Sequence, residues 1–206
     1  MFKNIGLGCA LPLILLLIAG CTPFGPANSQ QTKYYMLSSM YAGDSQTQPI
    51  ADLPKLAVGV GPVRIPRHLD RKEIVTRVSQ NEVLVDQFSL WAGPLSESFS
   101  LVLAENLSVL LNTDQSVAFP WRSNYPIKYQ VVIHVIRFDG LPGEEALLRA
   151  RWIILSENGK SILFKQQSVM RVSVEAPGMK SLVAAKSRLL EEFSRRISAA
   201  IVALEK

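Results

Sequence analysis

Two segments of this chain repeat apolar residues at helical spacing, and they constrain the fold more than anything else in it. Over residues 95–111, Leu95, Phe99, Val102, Leu103, Leu107, Leu110 and Leu111 recur on one face. Ser96, Ser100, Glu105 and Ser108 are assigned to the opposite face. Residues 179–205 repeat the pattern with Leu182, Val183, Leu189, Leu190, Phe193, Ile197, Ile201 and Leu204, and Lys186, Arg188, Glu192, Arg195 and Arg196 are assigned to the outer face. A helix with one apolar stripe must lay it on another layer. The expected fold is therefore an α/β (α+β) layered sandwich, with a mixed β-sheet, a C-terminal β-meander and two long amphipathic helices packed on it.

The strands are legible between and before these helices. Lys33-Tyr34-Tyr35-Met36-Leu37 reads as the first, and residues 56–63 as a second in which Gly59 and Gly61 leave room for close backbone approach or a bulge. Pro62 and Pro66 are expected to end it. Residues 73–78 and 82–86 form a hairpin pattern around Ser79-Gln80-Asn81. The meander strands are residues 129–138, 146–156 and 161–172, with a tight turn at Asn158-Gly159. That turn implies the pairs Glu157 with Lys160, Leu155 with Ile162, Ile153 with Phe164 and Arg151 with Gln166. Leu148, Ala150, Trp152 and Ile154 then share the core face.

The start of the chain has a different character. Lys3 is followed by an apolar stretch over residues 5–18, interrupted by Gly6, Gly8 and Pro12. It is shorter than the roughly 20 apolar residues of a membrane-spanning helix and has the layout of a signal peptide. Ile18-Ala19-Gly20-Cys21 closes it and resembles the lipobox of a bacterial lipoprotein. That pattern implies cleavage before Cys21, lipidation of its thiol and acylation of the new amine; two or more acyl chains anchor a protein stably. Thr22 follows the cysteine, where Asp would signal retention in the inner membrane, so the outer membrane is expected. Residues 1–20 are then the signal peptide and 21–33 a flexible Pro, Gly, Asn and Gln-rich tether after lipidated Cys21. Its twelve residues after the cysteine reach about 40 Å at most. Residues 34–206 form a single domain, with a polar surface loop over residues 42–54.

The remaining chain offers little for catalysis. Cys9 leaves with the leader and Cys21 is modified, so neither a disulfide nor a Cys-rich metal site is expected. There are 22 Lys+Arg against 17 Asp+Glu, and loss of Lys3 lowers the formal excess from +5 to +4. No long basic run interleaved with aromatics occurs, which argues against nucleic acid. His134 lies mid-strand among Val131, Ile133, Val135 and Ile136 and reads as a hydrogen-bonded core residue; His68 lies in a basic loop. No GxSxG elbow, HExxH, CxxC, P-loop or GxGxxG is present. No enzymatic activity, cofactor or metal is expected.

Contact residues are better candidates. Arg64, Arg67, Arg71, Lys72 and Arg77 form a basic cluster in sequence, suited to an acidic partner or lipid headgroups, or to a solvated loop paired with Asp70 and Glu73. Trp91, in Leu90-Trp91-Ala92-Gly93-Pro94-Leu95, either staples the first helix to the sheet or stands exposed as an anchor. Trp121, in Phe119-Pro120-Trp121-Arg122, is a second aromatic loop residue of the kind enriched in binding hot spots.

Taken with the lipobox, several segments resemble one family. They are Tyr34-Tyr35-Met36-Leu37, Val58-Gly59-Val60-Gly61-Pro62-Val63, Leu69-Asp70-Arg71, Ile74-Val75-Thr76-Arg77, Leu90-Trp91-Ala92-Gly93-Pro94-Leu95 and Phe138-Asp139-Gly140. Their order and spacing resemble the PqiC/YmbA-type lipoproteins, the auxiliary lipoprotein component of ABC-type transport. The resemblance implies an outer-membrane lipoprotein facing the periplasm. It further implies partnership with an MCE-domain protein anchored in the inner membrane, together with its ABC permease and ATPase, in moving lipids or other apolar compounds. It supplies no catalytic residues. Docking on the end of an MCE tunnel, with a homo-oligomeric ring to match its symmetry, is the mechanism expected. The competing classes are a structural envelope lipoprotein, a periplasmic hydrolase using His68 or His134, and a direct lipid carrier with an enclosed apolar pocket.

Overall fold

The structure, a computed structural model, describes residues 30–42, 48–157 and 159–206. Cys21, the leader, most of the tether and Asn158 of the expected turn lie outside the described residues. Residues 32–206 form one compact unit that holds the hydrophobic core of the described residues. The order is β1 (Lys33–Tyr35), a 3₁₀ turn (Met40–Ala42), β2 (Val58–Arg64), β3 (Glu73–Arg77), β4 (Val83–Trp91), α1 (Leu95–Leu111), β5 (Ser116–Ala118), β6 (Tyr129–Gly140), β7 (Glu145–Leu155), β8 (Ile162–Ser173) and α2 (Met179–Leu204).

The α+β layered class is as the sequence implies, but the strands divide between two mixed sheets. One has three strands in the order β1-β4-β3, the other five in the order β5-β2-β6-β7-β8. β1 runs parallel to β4, and β2 parallel to both β5 and β6. β6, β7 and β8 form the antiparallel meander. Its core face, with Leu148, Ala150, Trp152 and Ile154, is buried beneath the helices, as alternation requires. Trp152 sits between Phe164 at 5.0 Å and Phe193 at 5.9 Å, and its indole N–H donates to Ser168 Oγ at 3.0 Å. Aromatic pairs at such separations add about 0.5–1.5 kcal/mol beyond area burial.

Three local expectations change. The register is right at Leu155–Ile162 but then slips, pairing Ile154 with Phe164, Ile153 with Lys165 and Arg151 with Gln167. The extra residue on β8 is a β-bulge, and it turns Phe164 to the core face beside Trp152. Pro62 does not end β2; the strand continues to Arg64 across a register shift between Val60 and Val63, where a missing N–H leaves no gap in the ladder. Pro94 is the N-cap of α1, and the Asp70 carboxylate accepts the Ser96 N–H at 3.1 Å, capping the helix from a neighbouring segment. Ser100 is buried, its hydroxyl donating to the Ser96 carbonyl at 2.9 Å.

Two larger corrections concern charge. Lys186 is buried, 1 % exposed, and not on the outer face. Its position three or four residues from Leu182, Val183, Leu189 and Leu190 places it within the apolar stripe, whatever its charge. His134 is exposed and not in the core. Ile133 and Val135 point to the helices, so the pleat turns His134 to the opposite, uncovered face.

Candidate functional site

The segment 90–94 ends β4 and leads into α1. Parallel pairing sets Tyr34 of β1 beside Leu90 and Tyr35 beside Trp91. The backbone closes the junction: Ala92 N–H donates to the Tyr35 carbonyl at 2.9 Å and Trp91 N–H to the Lys72 carbonyl at 2.7 Å. Around it lies a cleft of about 530 Å³ lined by Tyr34, Asp70, Arg71, Lys72 and residues 90–94. Tyr34 is 67 % exposed on one side, whereas Trp91 is 5 % exposed and belongs to the core. Behind the indole, Lys186 Nζ lies 5.2 Å from the ring centroid, and the same ammonium lies 5.3 Å from the Phe138 ring. Trp91 is thus a fixed wall held between the cleft and a buried cation.

The electrostatics of the cleft come from the segment that leads into β3. Arg71 Nε donates to Glu73 Oε2 at 2.7 Å, and this bond holds the Glu73 carboxyl below the usual range. Asp70 is engaged at the α1 N-terminus. Lys72 is exposed beside them. The cleft therefore offers an apolar wall and a basic edge.

The sequence cluster of basic residues is divided by the fold. Arg71 and Lys72 line the cleft; Arg64 ends β2 in the other sheet and Arg67 is exposed in the following loop. Arg77 is drawn inward, donating to the fully buried Asp139 at 2.8 Å, with Arg137 on the other oxygen at 2.7 Å. The sequence marks Asp139 only as part of the segment Phe138-Asp139-Gly140 and assigns it no role; an acidic residue within an apolar strand is the signal that could have given it one. Trp121 lies on another part of the surface, half-buried over Gly59 and edge-to-face with Phe119 at 5.4 Å. A Cβ at Gly59 would approach the Trp121 ring to 2.7 Å, so glycine is needed there. Cys21 lies outside the described residues.

A larger hollow, about 730 Å³, runs along α1 between Tyr41, Leu101, Glu105 and Asp114. It touches none of the sequence-predicted contact residues, and we place the candidate site at the Trp91 cleft instead. Among the described residues, no group of three His, Cys, Asp or Glu side chains could hold a metal, and no helix is long and apolar enough to cross a membrane.

The described residues define a layered α+β domain with one candidate contact cleft. The chain belongs to the family of ABC-type transport auxiliary lipoprotein components, whose family model matches residues 35–198. No curated protein matches it significantly. Among solved structures, one of an uncharacterized protein is similar with a TM-score of 0.67 at 18 % identity, covering 83 % of this chain and 99 % of the other. A protein of Xanthomonas campestris, assigned to domain of unknown function 330, is similar with a TM-score of 0.65 at 15 % identity, covering 84 % of this chain and 98 % of the other. At such identities these likenesses establish the fold.

Proposed function

We propose that this protein is the outer-membrane, periplasm-facing member of an MCE/ABC-type system for lipids or other apolar compounds, and that it acts by docking a partner and not by catalysis. Lipid on Cys21 holds it to the membrane, and the tether gives the domain its reach. The observation that carries the reading is the cleft itself: the family-marking segment 90–94 meets Tyr34, Arg71 and Lys72 there, where the chain enters the fold at β1. An exposed aromatic beside basic groups and a rigid apolar wall suits a protein partner more than a small substrate. The partner is an MCE-domain protein anchored in the inner membrane with its ABC permease and ATPase.

The test is a pull-down of the tagged, lipidated chain from its host in mild detergent, with proteins identified by mass spectrometry. Recovery of an MCE-domain protein by the native chain, reduced at least tenfold in Tyr34→Ala/Lys72→Glu, is the expected result. Equal recovery by the variant moves docking to another surface. Other envelope proteins with no MCE partner point to a structural role.

A further inference from the structure

The helices cover only one face of the five-stranded sheet. On the uncovered face, register aligns Arg64 of β2 with His134 of β6, His134 with Arg151 of β7, and Arg151 with Gln167 of β8. All four are exposed. Strands stand about 4.8 Å apart, so Arg64, His134 and Arg151 form a row about 10 Å long. In the adjoining rows Arg149 stands opposite Arg137, and Lys165 opposite Ile153.

Like charges directly opposite one another weaken a sheet, yet this face sets Arg137 against Arg149. The carboxylates near it are already used: Asp139 by Arg77 and Arg137, Glu145 by Arg171. Arg64, Arg149, Arg151 and Lys165 have no carboxylate bonded to them among the described residues. Exposed aliphatic residues accompany them, Val169 on this face and Ile162 and Leu163 at the start of the edge strand β8. Guanidinium groups match phosphate oxygens in a fork, and aliphatic side chains suit the boundary between headgroups and acyl chains. An acidic protein would fit the charge but not require that mixture.

We propose that the open face of the five-stranded sheet rests on the anionic phospholipid surface of the membrane that carries the anchor. This rests on the anchored reading above, and it is independent of the Trp91 cleft. The tether keeps that surface within about 40 Å of the domain, so even weak headgroup contacts act at high effective concentration. Each basic side chain at such a surface strengthens binding by about fivefold, and the interaction is screened by salt. Docking this face orients the domain and leaves the cleft free for a partner.

The decisive experiment uses residues 22–206, which keep the whole compact unit but lack the lipidated cysteine. Binding is read by flotation with vesicles of phosphatidylethanolamine and phosphatidylglycerol, and with neutral phosphatidylcholine vesicles. The expected result is binding to the anionic vesicles only, lost at high salt, and at least tenfold weaker in Arg149→Glu/Arg151→Glu. Arg195→Glu/Arg196→Glu, on the exposed side of α2, carries the same change of net charge and keeps binding. Arg149→Gln/Arg151→Gln, checked by melting temperature, replaces the reversal if that variant fails to fold. Equal binding to neutral vesicles, or binding that the sheet-face variants retain, overturns the proposal. So does a wild-type domain that ignores anionic vesicles but loses an acidic protein partner on the same substitutions. Labelling of the full chain with radioactive palmitate, and its loss in Cys21→Ala, tests the anchor separately.

Discussion

Replacing Lys186 by methionine should stabilise this protein. Burial pushes the Lys186 amine down to about 8 from its ordinary 10.5, with the Asp139 charge opposing the shift. A gap of that size corresponds to about 3 kcal/mol of penalty on the charged form. The Trp91 and Phe138 rings at 5.2 and 5.3 Å return part of it, about 0.5–2 kcal/mol. Methionine fills a similar volume without charge, and Asp139 remains bonded to Arg77 and Arg137. The expected gain for Lys186→Met at pH 7 is about 1–2 kcal/mol, in line with replacement of buried charges by apolar residues. Urea unfolding measures it, and the melting point should rise by about 2–8 °C.

The pH dependence supplies a second reading of the same substitution. The unfolded amine keeps its proton up to about 10.5 and the folded one only up to about 8. Between those values the unfolded state binds more protons, so native stability must rise with pH through that window. Below pH 8 the penalty is present in full. Lys186→Met should lack the rise. A variant less stable than the native chain by more than about 1 kcal/mol, with no alkaline rise in the native chain, would refute the reasoning. It would mean that the ring and Asp139 contacts outweigh desolvation.

Two further outcomes can be measured on the purified domain. Gly59→Ala forces its Cβ to within 2.7 Å of the Trp121 ring, and should cost about 1–3 kcal/mol by thermal melting; adding Trp121→Ala should recover part of the loss. At the other end, Tyr129 O–H donates to Glu205 at 2.5 Å, and Lys128 pairs with the same carboxylate at 2.7 Å. Lys128 and Tyr129 together hold the Glu205 carboxyl below its ordinary 4.5, while burial and Glu205 push the Tyr129 hydroxyl up to about 12. A depressed carboxylate stabilises the fold above its unfolded value and loses that contribution as pH falls below about 4.5. Glu205→Gln should cost about 1 kcal/mol at pH 7 and flatten the acid limb of the stability profile.

The contact cleft shows how far a linear reading reaches. Segment 90–94 and residues 71–72 stand out along the chain, one as an aromatic entry to a helix and the other as charge. Nothing along the chain says that they meet. Parallel pairing of β1 with β4 brings Tyr34 beside Leu90 across more than fifty residues. Sequence proximity likewise grouped Arg64, Arg67, Arg71, Lys72 and Arg77, and the fold sends them to two sheets and to a buried carboxylate.

What the chain alone determined was local. Helical spacing placed residues 95–111 and the last helix almost to the residue, and alternation plus turn chemistry located the hairpin and the meander. Those signals are periodic, and each window carries its own. The short edge strand β5 carries no such period, and the division into two sheets depends on pairings between distant segments. Burial of Asn106, which accepts from Met40 N–H and donates to Ser194 Oγ, is also decided by its neighbours. Whether a charged or polar side chain lies inside depends on what surrounds it in three dimensions. The buried stripe of α2 carries Lys186 into the core against two aromatic rings, and an uncovered sheet face leaves His134 in solvent.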